Sequence, residues 1–216
     1  MAIADFRGVK QVFYGGDEIS EVYAAGQRIW KKPPESFEPV LVTISEVGPF
    51  TVTSPLGSTS VDVVWCGGGA GGGHGFAGVS GVPTPTDGSE TKISYGPTTY
   101  TAAGGVVGKS PDVFGESPGD KTFNNRLYPG GTGGSGTSNG TATDGTTPGA
   151  GGGGAFGSNG GGAGKWSATT FPTNGETTFT GTVGDGGNGA ASATYGTSGD
   201  GARGVVHFYF YSIVSN

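Results

Sequence analysis

The feature that most constrains this chain is "VDVVWCGGGAGGGHGFAG", from Val61 to Gly78, where a strand-like apolar run passes straight into a tract that is mostly glycine. Glycine loses more conformational freedom on folding than any other residue, so an ordered tract of this kind needs a structural reason for the missing side chains. Three readings are open: a loop that grips phosphate, a loose linker, and an ordered array in which backbones pack against one another. Glycine takes 49 of 216 positions and proline 13, together more than a quarter of the chain, a level that signals low complexity unless a period is present. The distribution is uneven. Six glycines lie before residue 67 and the rest between 67 and 204, so an ordinary front and an ordinary last dozen residues flank a glycine-rich body.

Charge excludes some partners. The net charge of -6 and pI near 4.8 leave no basic stripe to displace counterions from a phosphate backbone, which argues against nucleic acid. Cys66 is the single cysteine, so no internal disulfide forms, and no His or Cys cluster predicts a metal; no cofactor is expected. The start, "MAIADFRGVKQ", carries charges within five residues and lacks the apolar core of a signal peptide, and no window approaches eighteen apolar residues. Synthesis in the cytoplasm without membrane insertion is the expectation.

Residues 11 to 30 hold a short repeat at an offset of ten, "QVFYGGDEI" against "EVYAAGQRI". Each copy reads strand, glycine turn, strand, and the pair predicts a small β-meander over 1–32. Thirty residues are too few to bury a core alone, so this segment is expected to attach to something, with Tyr14, Tyr23 and Trp30 as anchors. The double proline of "KKPPES" makes 33–37 a linker. Over 38–216, "VLVTIS", "FTVTS", "SVDVVW", "ETTFTGTVG" and "RGVVHFYFYSIV" read as strands on both sides of the glycine body. The body carries widely spaced aromatics, Tyr128, Phe156 and Trp166 among them, and few charges, unlike a solvated disordered tract. The fold class predicted is all-β: the N-terminal meander, then a β-sandwich-like domain with long glycine-rich, partly polyproline-II loops and very little α-helix.

Motifs with chemistry are weak in context. Ala103 to Ser110 satisfies a relaxed Walker pattern with Lys109 and Ser110, but Pro111 follows at once and no helical run opens there. G-x-G-x-x-G matches arise by chance at this glycine density, and none sits in a βαβ unit. His74 and His207 have no nucleophile or orienting carboxylate nearby in sequence, and His207 reads as a structural strand residue. Asp112, Glu116, Asp120 and Asp185 occupy turn-like contexts where carboxylates cap amides. Asn139-Gly140-Thr141 fits the glycosylation sequon, which has no meaning without a secretory route. No catalytic residue is predicted.

"FTVTSPLGSTSVDVVWCGGGAGGG" together with the ending "TVGDGGNG...GDGARGVVHFYF" resembles the glycine-rich domain of tailed-bacteriophage minor tail proteins, and the doubled "VFYGG", "VYAAG" with "RIW" resembles the tyrosine-glycine repeat ahead of such domains in siphophages of actinobacteria. The resemblance covers both ends of the chain, and 82–128 matches nothing. It implies a non-enzymatic virion component at the tail tip, with other tail proteins as partners, a symmetric homo-oligomer of three copies as the favoured form, and a host-surface glycan as a further contact. In that reading Tyr14, Tyr23 and Trp30 anchor to tail partners, and Tyr128, Phe156 and Trp166 stack on sugars or pack on a neighbour; filling the core is the competing role for the last three. A looser likeness is to tail-fibre adhesins with stacked polyproline-II strands, from which the chain departs because "GGGAGGG" and "GGGGAFGSNGGGAG" sustain no strict three-residue period. Two alternatives belong to other classes: a depolymerase with convergent carboxylates, and a free-standing glycine-rich structural protein.

Overall fold

The computed structural model describes residues 12–14, 17–19, 21–24, 27–31, 38–75, 82–174, 176–192 and 196–212, and these contain strands and no helix. The two repeat copies fold as two antiparallel hairpins. β1 (Val12–Tyr14) pairs with β2 (Asp17–Ile19), and β3 (Glu21–Ala24) with β4 (Gln27–Lys31). Tyr14, Tyr23 and Trp30 fall in these strands, while the linker 33–37 and the contacts expected of the three aromatics lie outside what is described.

Two four-stranded antiparallel sheets follow. One has the order β12-β7-β16-β5, from β5 (Val40–Ile44), β7 (Ser58–Cys66), β12 (Trp166–Pro172) and β16 (Val205–Ser212). The other has the order β6-β13-β8-β9, from β6 (Gly48–Thr53), β8 (Thr91–Tyr95), β9 (Thr98–Ala102) and β13 (Thr178–Val183). Strand alternation decides what each face holds. Val61, Val63 and Trp65 of β7 and Val206, Phe208 and Phe210 of β16 point inward, where they meet Ile93, Phe171, Phe179 and Val183 in one buried cluster. The Phe179 ring lies 5.4 Å from Phe208 and 5.6 Å from Phe171. Gly181 leaves room for Phe50, whose ring would come within 2.5 Å of any Cβ there. Two small hairpins complete the list: β10 (Lys121–Phe123) with β11 (Arg126–Tyr128), and β14 (Ala191–Ser192) with β15 (Gly196–Thr197).

The glycine body is the third layer of organisation. Tracts 67–74, 103–107, 130–137 and 184–190 leave the ends of β7, β9, β11 and β13, and tracts 84–90, 112–119, 158–165 and 198–204 lead into β8, β10, β12 and β16. With 142–148 and 149–155 they make a bundle of ten, held by backbone hydrogen bonds. In 67–74 the amides of residues 67, 70 and 73 donate to Lys165, Gly162 and Asn159; those of 68 and 71 donate to Ser89 and Thr86; those of 69 and 72 donate to Ala202 and Gly199. A turn of three residues thus serves three neighbours, the repeat of a polyproline-II helix, whose amides have no partner within the tract. Its carbonyls accept from Gly105, Gly187 and Gly152, each on another tract. Six neighbours therefore surround 67–74.

Tract 149–155 is enclosed in the same way. It donates to Glu116, Ala70 and Thr143 and accepts from Gly134, Gly161 and Gly199. The other eight tracts close a ring around these two, in the order 84–90, 103–107, 158–165, 112–119, 130–137, 142–148, 198–204, 184–190 and back to 84–90, with a backbone bond at every step. The interior is made of main chain. A Cβ on Gly68, Gly69, Gly71 or Gly72 would stand 2.0 Å from the carbonyl oxygen of Asp185, Ala150, Asn188 or Gly153. The lack of a strict glycine period, a departure from a regular lattice at the level of sequence, has a physical reason here. An enclosed tract needs glycine at nearly every residue, whereas a ring tract needs it only on its inward side: 84–90 has Gly88 alone, where a Cβ would stand 2.2 Å from Gly68 O, and 142–148 has Gly145 alone.

Candidate functional site

The outward face of the β12-β7-β16-β5 sheet carries the one dense group of polar and aromatic side chains among the described residues. β16 turns His207, Tyr209 and Tyr211 outward as it turns Phe208 and Phe210 inward, and β7 likewise presents Asp62. The β10–β11 hairpin folds over this face. Its two-residue turn, Asn124 and Asn125, has φ of 45° and 60°, the positive pair a type I′ hairpin turn requires and asparagine tolerates. The turn delivers Asn124 Nδ2 to both carboxylate oxygens of Asp62 at 3.0 Å. Thr170 Oγ1 donates to Asp62 Oδ1 at 2.6 Å and Tyr211 Oη donates to Oδ2.

Asp62 is only 1% exposed, and an ion so buried is tolerable only when hydrogen-bonded throughout. These donors supply that, and they tie three elements to β7. Further along, the Arg126 guanidinium sits 3.5 Å over the Tyr209 ring and the Tyr128 ring packs 5.1 Å from His207, with Trp166 on the same imidazole at 6.5 Å. His207 Nδ1 is hydrogen-bonded to Thr43 Oγ1 at 2.9 Å, and burial pushes its pKa down to about 4. The Tyr211 phenol is pushed up to about 12 by burial and then by its hydrogen bond to Asp62. Tyr128 is raised by burial, partly offset by Arg126, and its hydroxyl makes no hydrogen bond although the residue is 3% exposed. Chemically this is a clamp. The carboxylate is saturated with donors, and what faces solvent is half-buried Tyr209, Tyr211, Trp166 and Arg126, the residue types enriched in interface hot spots.

The aromatics singled out by sequence therefore separate. Tyr128 and Trp166 come together on His207, with Trp166 Nε1 donating to Gly119 O at 2.8 Å. Phe156 stands apart at the turn after 149–155, the end of the bundle away from the sheets, with φ of 54° and its ring 5.0 Å from His74. Asp62, Asn124, Arg126, Tyr209 and Tyr211 carry no motif; the one visible signal is a lone acid inside the apolar run "VDVVWC". The Walker-like match begins on the bundle tract 103–107, and Gly108, with φ of 65°, turns the chain before Lys109 and Ser110, where a phosphate loop would open a helix. Cys66 is buried and its thiol pushed up to about 12, so it holds no reactive thiolate.

The acids of the glycine body act as caps. Asp112 accepts from Phe114 N, Glu116 from Ala163 N, Asp120 from Gly130 N and Asp185 from Gly186 N, and Asp87, Asp144 and Asp200 do the same for Val107, Asp200 and Gly189. Ring tracts have an outward side with no neighbouring carbonyl, and a short acceptor side chain fills that place. Seven of the 17 acidic residues of the chain serve this need.

No known protein family and no solved structure matches the chain. It is similar to the "Gene 32 protein" of Mycobacterium phage L5, 29% identical over 183 positions that cover 61% of this chain and 80% of that one. The similarity supports a bacteriophage origin. No helix among the described residues is long and apolar enough to cross a membrane.

Proposed function

We propose that the chain is a non-enzymatic structural component of a phage tail, placed at the tail tip with other tail proteins, in a symmetric assembly of three copies. The observation that carries this reading is the bundle itself: ten tracts with a main-chain interior, carried on the end of a sandwich as a stiff spacer. The similarity to a mycobacterial phage protein supports it. Closed symmetry is the common rule for such assemblies. Tyr14, Tyr23 and Trp30 then attach the N-terminal hairpins to tail partners. Recognition of a host-surface glycan falls to the turns at the far end of the bundle, beside Phe156, and to the half-buried Trp166.

Antibodies against residues 38–216, gold-labelled on intact virions of the encoding phage, test the reading. Label at the tail tip is expected, with three copies per virion by quantitative mass spectrometry. Absence of the chain from purified virions would refute it, and release of sugars from host envelope by the purified chain would move the assignment to a depolymerase.

A further inference from the structure

Four Asn-Gly dipeptides occur in the chain: Asn139-Gly140, Asn159-Gly160, Asn174-Gly175 and Asn188-Gly189. In such a pair the glycine amide nitrogen can attack the asparagine Cγ, because no side chain hinders its approach. The attacking N–H gives up its proton, the Cγ–Nδ2 bond breaks, and ammonia leaves with that proton to form a cyclic imide. Solvent water then opens the ring at either carbonyl to aspartate or isoaspartate, with no change of oxidation state.

The bundle blocks this chemistry at two of the four sites. Gly160 N donates to Asp112 O at 2.8 Å, and Gly189 N donates to Asp200 Oδ1 at 2.6 Å, so each nitrogen must first break a hydrogen bond and leave the bundle. The glycine of the third pair, Gly175, lies outside the described residues. Gly140 is different. Its N–H meets no acceptor among the described residues, it has φ of 94°, and a Cβ there would touch nothing within 4 Å. Asn139 is exposed, and its side chain makes no hydrogen bond among the described residues. One further contact favours attack: Thr137 Oγ1 donates to Asn139 O at 2.6 Å. When the Gly140 amide is deprotonated its charge rests on that oxygen, and a hydrogen bond to the charged form favours it.

We infer that Asn139 is a site of spontaneous, structure-selected deamidation, with Thr137 as its promoting residue, at the turn joining 130–137 to 142–148. Conversion places a new negative charge, and in the isoaspartyl product an extra main-chain methylene, at the far end of the bundle. The test is peptide mapping by mass spectrometry of the folded full chain during incubation in mildly alkaline buffer, beside the same chain in urea. In the folded chain, conversion at Asn139 is expected to be at least about tenfold faster than at Asn159 and Asn188, because those amides must first break the hydrogen bonds that tie them to the bundle. In urea the three rates converge. The variant Thr137→Val is expected to slow conversion at Asn139 about threefold in the folded chain and to leave the urea rate unchanged. Equal rates at the three sites in the folded chain, or no conversion at Asn139 while the unfolded chain converts, overturns the assignment, and an unaltered folded rate in Thr137→Val overturns the role of Thr137.

Discussion

Adding one methyl group to Gly72 should be among the most damaging small changes this chain can suffer. A Cβ at this position would lie 2.0 Å from Gly153 O and 2.5 Å from its carbon, whereas real Cβ atoms essentially never approach other heavy atoms within 3.0 Å. Both tracts are enclosed, so neither has free space to retreat into, and 67–74 must part from 149–155 by about 1 Å or more. The bonds joining these tracts, Gly152 N to Ala70 O and Ala155 N to Gly73 O, are both 2.9 Å and would stretch beyond useful length. A buried donor left without its acceptor costs about 1–3 kcal/mol, so the two together cost about 2–6 kcal/mol. For a chain of this size each kcal/mol lowers Tm by about 2–4 °C, and a central value of about 4 kcal/mol corresponds to a fall of roughly 8–16 °C. Gly108→Ala is the control: its φ of 65° imposes about 1–2 kcal/mol, and a Cβ there meets nothing within 4 Å. Calorimetric melting of the two variants beside the parent decides the matter. If Gly72→Ala melts no lower than Gly108→Ala, the steric reasoning is wrong.

Other consequences follow from the clamp on the outer sheet face. Asp62→Ala strands three donors, Asn124 Nδ2, Thr170 Oγ1 and Tyr211 Oη, and is expected to cost about 3 kcal/mol by urea unfolding, with loss of protection in the 121–128 hairpin by hydrogen exchange. Tyr128→Phe removes a hydroxyl that makes no hydrogen bond, so its Tm should equal or exceed the parent's, and a clear loss would mean the hydroxyl has a partner. The His207 pKa is lowered to about 4 from 6.5, so below pH 6.5 the unfolded chain takes up a proton that the native chain refuses. Its contribution is therefore whole above pH 6.5 and declines as pH falls toward 4. His207→Gln should remove that part of the acid loss, seen as a parent-minus-variant Tm difference that narrows across this window.

The parts of the fold legible in sequence are those where neighbouring residues carry the signal. Alternation in "SVDVVW" and "VVHFYFY" marks β7 and β16 because inward Val61, Val63, Phe208 and Phe210 are spaced by two. β8 and β9 carry a comparable pattern around Gly96-Pro97, and β10 and β11 have the Asn124-Asn125 turn, but the surrounding glycine-rich sequence masks both signals. β12 was hidden by threonines and by its long separation from its partner β7. The bundle was legible as a density of glycine and not as an order of tracts, since which side of 84–90 or 142–148 needs glycine depends on neighbours distant in sequence. The clamp was illegible for the same reason. Asp62, Thr170 and Tyr211 are brought together only by the pairing of β7 with β12 and β16, and Asn124 only by the β10–β11 hairpin that folds over them.

Amide hydrogen exchange of the native chain tests the central claim, that the glycine body is an ordered backbone bundle with two enclosed tracts. An isolated polyproline-II segment leaves its amides to water and exchanges at the rate of an unstructured peptide. In the bundle the amides of Gly68 to Gly73 and Gly151 to Ala155 are bonded to neighbouring tracts, so they should be protected as strongly as those of β7 and β16. Exchange of those glycines at the unstructured rate while β7 and β16 stay protected would contradict the account.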